Sequence, residues 1–189
     1  SRLPTGLVLL LVSAVWLAIT ILLITLFFIF ILVANLIADP FNERLAAAVE
    51  TYLTGVARPA TPWYQIITGL LLKLVGAVRK FIYYLFWGII LAILTLIPPI
   101  TLIAPLIWFS FGAWIAALQY TNYPMDNHSL SLRQQRRLLA SERSMALGFG
   151  SMAILIMMIP ILNLLVMPVA VAGGTRMWVE ELAPLAKKR

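Results

Sequence analysis

The sequence contains no cysteine and a single histidine. The first absence excludes disulfides, thiolate nucleophiles and thiol metal ligands. With seven acidic residues in all, the ligand supply also argues against a polynuclear metal centre. Charge is scarce throughout: 11% of the residues are Asp, Glu, Lys or Arg, against about 25% in soluble globular chains. A G-x-x-x-x-G-K-[ST] nucleotide loop is missing, as are a redox-cofactor motif and a hydrolase constellation. The chain is therefore expected to be no enzyme, to hydrolyse no ATP and to hold no cofactor. Nor does it begin with methionine. Its first apolar run is longer than the roughly 7 to 15 residues of a signal-peptide core, so it reads as processed or as starting inside a longer chain.

What fills the space is hydrocarbon. The chain is 62% hydrophobic with a mean hydropathy of +0.99, and Gly6 to Ala38 carries no charged residue. Such runs mark membrane spans, and lone strands cannot satisfy their backbone in lipid. The expected fold is an all-α integral membrane protein. Residues 6–38 reach about 50 Å as a helix, beyond the roughly 30 Å hydrocarbon core. The helix must tilt, break near Asn35 or project, and Asp39-Pro40 is expected to stop or kink it. The net charge of +7 lies in short basic groups between apolar segments. Cytoplasmic headgroups account for those groups better than nucleic acid does, and an anionic solute is a second reason for the excess.

Residues 41–80 change character. FNERLAAAVETYL places Phe41, Leu45, Ala48, Val49 and Tyr52 at helical spacing and reads as an amphipathic interfacial helix. GVARPATP is a break, and the chain then leads into the next apolar helix past Lys73, Arg79 and Lys80. Residues 81–118 and 145–173 share one construction, an apolar arm, proline at 98–99 or 160, and a second apolar arm. The arms before the prolines are about 17 and 15 residues, roughly 25 and 22 Å as helices, where a full crossing takes about 20 residues. Two kinked spanning helices are one solution. The flanks decide for the other. Lys73, Arg79 and Lys80, then Arg133, Arg136, Arg137 and Arg143, then Arg176 and the terminal KKR all belong in the cytoplasm by the positive-inside rule. Single crossings would put a basic flank outside; two re-entrant hairpins would not. Their tips need burial in protein or a water-filled cavity, which implies a homo-oligomer. The connectors 119–144 and 174–189 are then cytoplasmic, in a single membrane domain over 1–189.

The polar stretch YTNYPMDNHSLS, residues 120–131, has the composition of a turn. Tyr123, Pro124, Asp126, Asn127 and His128 read as a structural loop fixing the two hairpins, with Asp126 capping a turn or accepting a hydrogen bond from His128. As a catalytic dyad Asp126 and His128 lack a nucleophile beside them. Ser131 is a candidate N-cap for LRQQRRLLASERSMA, with Leu132, Leu138 and Leu139 toward the membrane. Asn35 and Asn163 are amides in apolar helices, for which helix–helix hydrogen bonding and lining of a solute path are both open. Arg79 and Lys80 are anion-binding candidates or headgroup anchors. The same two readings apply to Arg133, Arg136 and Arg137 at a cytoplasmic mouth. Glu43 and Glu50 would repel an anion and are expected to pair with Arg44, Lys73 or Arg79.

Several stretches resemble the CysZ-type sulfate permeases and their wider membrane-protein family: TNYPMDNH, LGFG at 147–150, IPILNLLVMPVAVAGGTRMWVE at 159–180, VANLIADPFN at 33–42 and LIAPLIWFSFGAWIAALQY at 102–120. The resemblance runs over essentially the whole chain. It implies a bacterial inner-membrane protein carrying sulfate inward for cysteine synthesis, with half-penetrating helix pairs and oligomeric assembly. Sulfate, with sulfite beside it, and membrane lipids are then the partners. It also implies a further N-terminal transmembrane helix ahead of Ser1, with an anion site that cannot be assigned here. A membrane scaffold supporting another transporter, and a less selective anion channel, are the alternatives.

Overall fold

In the computed structural model, which describes residues 4–56 and 70–187, every regular element is helical. In chain order these are α1 (Thr5–Thr54), α2 (Leu70–Leu94), α3 (Pro98–Thr101), α4 (Ala104–Asn127), α5 (Leu132–Ser141), α6 (Arg143–Met157) and α7 (Pro160–Met177). A π-helical turn, Trp178–Leu182, and α8 (Ala183–Lys187) complete them. Among the described residues two stretches, Leu9–Ile31 and Leu74–Leu94, are long and apolar enough to cross a membrane.

The chain divides into two compact units, 1–41 and 42–189. The first is the apolar part of α1, whose large side chains are exposed along its length, from Leu9 to Phe30. Its hydroxyls cost little in lipid: Ser13, Thr20 and Thr25 each donate to the carbonyl four residues back. The expected stop at Asp39-Pro40 does not occur, since Pro40 lies inside α1. Proline removes one intrahelical bond, whereas ending a helix exposes several unsatisfied groups. α1 closes instead at Thr54. Gly55 takes a φ of +69° there and its N–H reaches the Thr51 carbonyl at 2.9 Å, the left-handed C-terminal geometry that glycine favours. The expected break GVARPATP begins at this point; its residues from Ala57 lie outside the described ones.

No charged residue occurs between Lys80 and Asp126, or between Arg143 and Arg176, and each of these stretches folds back on itself. Trp114 Nε1 donates to the Tyr83 hydroxyl at 3.2 Å and Gly88 packs beside Phe111. α2 and α4 are thus antiparallel about a centre near Pro98-Pro99. Gly173 against Phe149 sets α7 antiparallel to α6 about a centre near Pro160.

The tips are closed by their own backbone. The N–H groups of Leu96, Ile97, Ile100, Thr101, Ile103, Leu106 and Ile107 all find carbonyls between Ile93 and Ile103. The Thr101 hydroxyl donates to the Thr95 carbonyl at 2.7 Å, and Thr95 donates to Ala92. At the second tip Met158, Ile159 and Asn163 donate to Ile154, Ile156 and Ile159. The prolines start helices here: they occupy the first positions of α3, α4 and α7, where a missing N–H costs nothing because that donor has no helical acceptor. Around these closed turns the surface is apolar, with Leu96 80%, Leu102 86% and Ile161 80% exposed.

α4, α6 and α7 pack closely through small residues. Ala113, Ala116 and Ala117 of α4 are buried, as are Ala146, Gly150 and Ala153 of α6 and Ala170 and Gly174 of α7. The backbones meet at Gly150 beside Ala113 and at Gly174 beside Tyr120, the close approach by which helices associate in lipid. α5 departs from expectation. Leu138 and Leu139 are buried against Met125, Trp178 and Leu182 and Leu132 is half-buried, so its apolar side covers the protein core and is not left for the membrane. The segment after 173 is likewise packed: Met177, Trp178 and Leu182 are buried.

Gly174→Ala tests this packing. The added Cβ would stand 2.8 Å from the Tyr120 carbonyl oxygen, and backbone cannot yield as a flexible side chain does. A loss of about 1 to 3 kcal/mol is expected in melting of the detergent-solubilised protein. Gly148→Ala, which meets nothing within 4 Å, should show no such loss.

Candidate functional site

The polar stretch expected as a loop is mostly helix. α4 continues to Asn127, so Tyr123, Pro124, Asp126 and Asn127 occupy its last turns and only His128–Ser131 is non-helical. Pro124 is tolerated because the bond it removes is the one to the Tyr120 carbonyl, and that carbonyl abuts Gly174. The helix then closes in a Schellman arrangement. The Leu130 N–H bonds to the Met125 carbonyl and the Ser129 N–H to that of Asp126, with Ser129 at φ 57° in the position glycine usually takes.

This helix end is the junction of the second unit. Asp126 is its acceptor: Asn122 Nδ2 donates to one carboxylate oxygen at 2.7 Å and Gln135 Nε2 to the other at 2.6 Å. Lys80 Nζ of α2 lies 4.0 Å away. Gln135 also donates to the Leu130 carbonyl. Both amides leave their own carbonyl oxygens buried without a partner; turning them round would set oxygen against carboxylate, so the charged acceptor wins. His128, the expected partner of Asp126, has its Nε2 2.8 Å from Glu50 Oε1 and its ring 4.8 Å from that of Trp178. Asn127 Nδ2 donates to the Glu43 carbonyl and Asn42 Nδ2 to the Tyr123 hydroxyl. The C-terminal part of α1 therefore turns Asn42, Ala46 and Glu50 inward and leaves Phe41 and Tyr52 exposed. Glu50 thus meets His128.

The remaining candidates are more scattered. Arg136 stacks 4.0 Å over the Tyr83 ring, while Arg79, Arg133 and Arg137 are exposed. Asn163 is exposed in the first turn of α7. Asn35 belongs to α1, and its side chain lies outside the described residues, as does that of Lys73. No group of three or more His, Cys, Asp or Glu capable of holding a metal occurs among the described residues. The residues that sequence reasoning passed over are Asn42, Gln135 and Trp178. Gln135 had a signal, as the polar member of the inward spacing 135, 138, 139. Asn122 and Asp126, four apart on one helix, had another. Trp178 had none.

The family described as sulfate transporter CysZ/etoposide-induced protein 2.4 matches residues 2–168. The chain belongs to this family. Among its CysZ relatives, the "Sulfate transporter CysZ" of Pseudomonas fluorescens is 43% identical over 156 residues, which is 82% of this chain and 63% of that protein. The protein of the same name from Pseudomonas paraeruginosa is 38% identical over 88% of the chain and 69% of its own length. A second P. fluorescens strain gives 40% identity over 82% and 62%. The chain thus spans somewhat under two thirds of two of these three CysZ proteins and 69% of the other.

Magnitudes separate the bonds at Asp126. Hydrogen bonds to a charged group contribute about 1.5 to 3 kcal/mol, and the Gln135 donor is 1% exposed. The Lys80 pair is at the outer distance limit with the Asp126 side chain 41% exposed, so it is worth under about 1 kcal/mol. Asp126→Ala should cost about 2 to 3 kcal/mol in thermal melting. A loss under about 1 kcal/mol would show that the two amide bonds do not hold the junction.

Proposed function

We propose that the assembled protein lets sulfate cross the bacterial inner membrane into the cytoplasm, supplying cysteine biosynthesis, through a hydrated path and without hydrolysing ATP. The observation that carries this reading is the 38–43% identity to proteins named sulfate transporters over more than four fifths of the chain. Physical support comes from the hairpins. Charge-free arms with apolar, self-closed tips suit re-entrant elements that come in and return by the cytoplasmic face. α6, at 15 residues, is about 22 Å long, short of a roughly 30 Å crossing.

Sulfate is a dianion that cannot pass bare hydrocarbon. It needs water and donors that hold it weakly enough for release. At the second tip Asn163 supplies an exposed side-chain amide. Asn35, Arg79 and Lys80 are retained as path or anion-binding candidates, and Arg133, Arg136 and Arg137 as mouth candidates. In this reading the network at the end of α4 is architectural: its carboxylates face amides, histidine and lysine and offer an anion nothing. The exposed apolar arms favour a homo-oligomer, whose copies enclose the path that one chain leaves open to lipid.

The test is labelled-sulfate uptake by full-length protein in sealed liposomes with no nucleotide present. Protein-dependent uptake, competed by sulfite, is expected. No flux from assembled protein, with or without a proton gradient, would sink the transporter reading and leave a scaffold for another transporter; chloride flux equal to that of sulfate would indicate a less selective anion channel.

A further inference from the structure

The proposed path makes no use of the last turns of α1, residues 42–54, and these turns have three distinct sides. At about 100° per residue, Asn42, Ala46 and Glu50 fall on one side, and all three are buried. Leu45, Ala48, Val49 and Tyr52 fall together on a second side. Leu45 and Val49 are half-buried there, Ala48 is exposed and Tyr52 is 88% exposed. Glu43, Arg44, Thr51 and Thr54 make up the third. A helix that only packed on protein would need a buried side and a polar one. Here the part that protein leaves uncovered is itself divided, apolar on one flank and polar on the other.

The buried side is held by bonds to α4. Asn42 Nδ2 donates to the Tyr123 hydroxyl at 3.3 Å, the Glu43 carbonyl accepts from Asn127, and Glu50 Oε1 lies 2.8 Å from His128 Nε2. Asn42 and Glu50 are about 12 Å apart along their helix, yet both meet α4 within residues 123–128. Over these two turns α1 therefore stays beside the end of α4. The charge-free arm of the first hairpin stops at the same end, at Asp126, which the bilayer placement proposed above makes the boundary between hydrocarbon and headgroups. An exposed tyrosine beside alanine, valine and leucine suits that boundary, where aromatic rings with one polar tip collect. Four side chains on one helix are far fewer than the roughly 20 to 30 residues a side of a stable protein interface, so a second copy fits them poorly.

We propose that residues 42–54 are a bilayer-surface anchor, with the flank of Leu45, Ala48, Val49 and Tyr52 resting in the lipid and that of Glu43, Arg44, Thr51 and Thr54 in water. Such a helix binds by burying its apolar face at the boundary between headgroups and acyl chains. Its third side holds the end of α4, so the anchor fixes the depth at which the base of the first hairpin sits. With apolar contact as its means, it needs no anionic lipid. The inference rests on the bilayer placement and not on the solute that crosses, so a failed sulfate assay leaves it standing.

The chain has no native cysteine, so single cysteines report each flank without background. A48C, Y52C, T51C and T54C of the full-length protein would each carry a nitrobenzoxadiazole label in phosphatidylcholine liposomes. Two quenchers are compared, a lipid with a nitroxide close to its headgroup and iodide present on both sides of the membrane. None of the four positions lies on the side bonded to α4, so all should melt with the unlabelled protein in detergent. Labels at Ala48 and Tyr52 should emit to the blue of the other two and be quenched by the lipid nitroxide and little by iodide. Labels at Thr51 and Thr54 should show the reverse. Equal iodide quenching at all four positions would overturn the proposal by placing both flanks in water. Protection of Ala48 and Tyr52 from both quenchers would also overturn it, since protein, and not lipid, would then cover the apolar flank.

Discussion

A backbone in hydrocarbon has no water to fall back on, and under the bilayer placement proposed above that constraint falls on the two charge-free stretches of this chain. Each unmatched N–H or C=O there would cost several kcal/mol, so a reversal of direction is possible only if the turn satisfies itself. The tip between α2 and α4 does so with short-range carbonyl bonds and with two threonine hydroxyls returned to the backbone. Proline contributes by subtraction: at the start of α3, α4 and α7 it removes donors that had no helical acceptor. The same residue type inside α4 works differently. Pro124 frees one carbonyl, and Gly174 lets a neighbouring helix lie against it.

If the tips are closed by backbone, the bases are closed by side chains. At the end of α4 a carboxylate collects two amides and faces a lysine, while a histidine meets a buried glutamate. Three neighbours, α1, α2 and α5, are tied to one helix end. The amide bonds outweigh the lysine because they are short and their donors buried, whereas the ion pair is long and open to solvent screening. Packing between α4, α6 and α7 then relies on alanine and glycine, as expected where lipid removes the hydrophobic drive between helices.

Much of this was legible in the residues. The long apolar helix and the reversals near Pro98-Pro99 and Pro160 follow from hydropathy, length and composition, and the resemblance to CysZ-type proteins rested on stretches that the family match largely covers. What misled was local propensity. Asn, Pro and Asp signal turns in water, yet TNYPMDN is helix because its side chains bond within the fold and Pro124 sacrifices a single bond. Pro40 failed as a stop for the same reason. The leucines of α5 looked suited to lipid, since a periodic apolar face cannot announce whether membrane or protein will cover it. Gln135, on that face, was the clue that protein would. The pairing of His128 with Glu50, 78 positions apart, had no local trace.

The central claim is that the two tips end within the bilayer and do not cross it. Spin labels placed singly at Ile97, Leu102 and Met158 of the full-length protein in liposomes report this through collision with oxygen, which concentrates in hydrocarbon, and with a polar nickel chelate, which does not. High oxygen and low nickel accessibility at all three positions is the predicted result, with Ser131 showing the reverse. Strong nickel accessibility at Ile97 and Met158 from the face opposite Ser131 would mean that the arms cross completely, and would contradict the account.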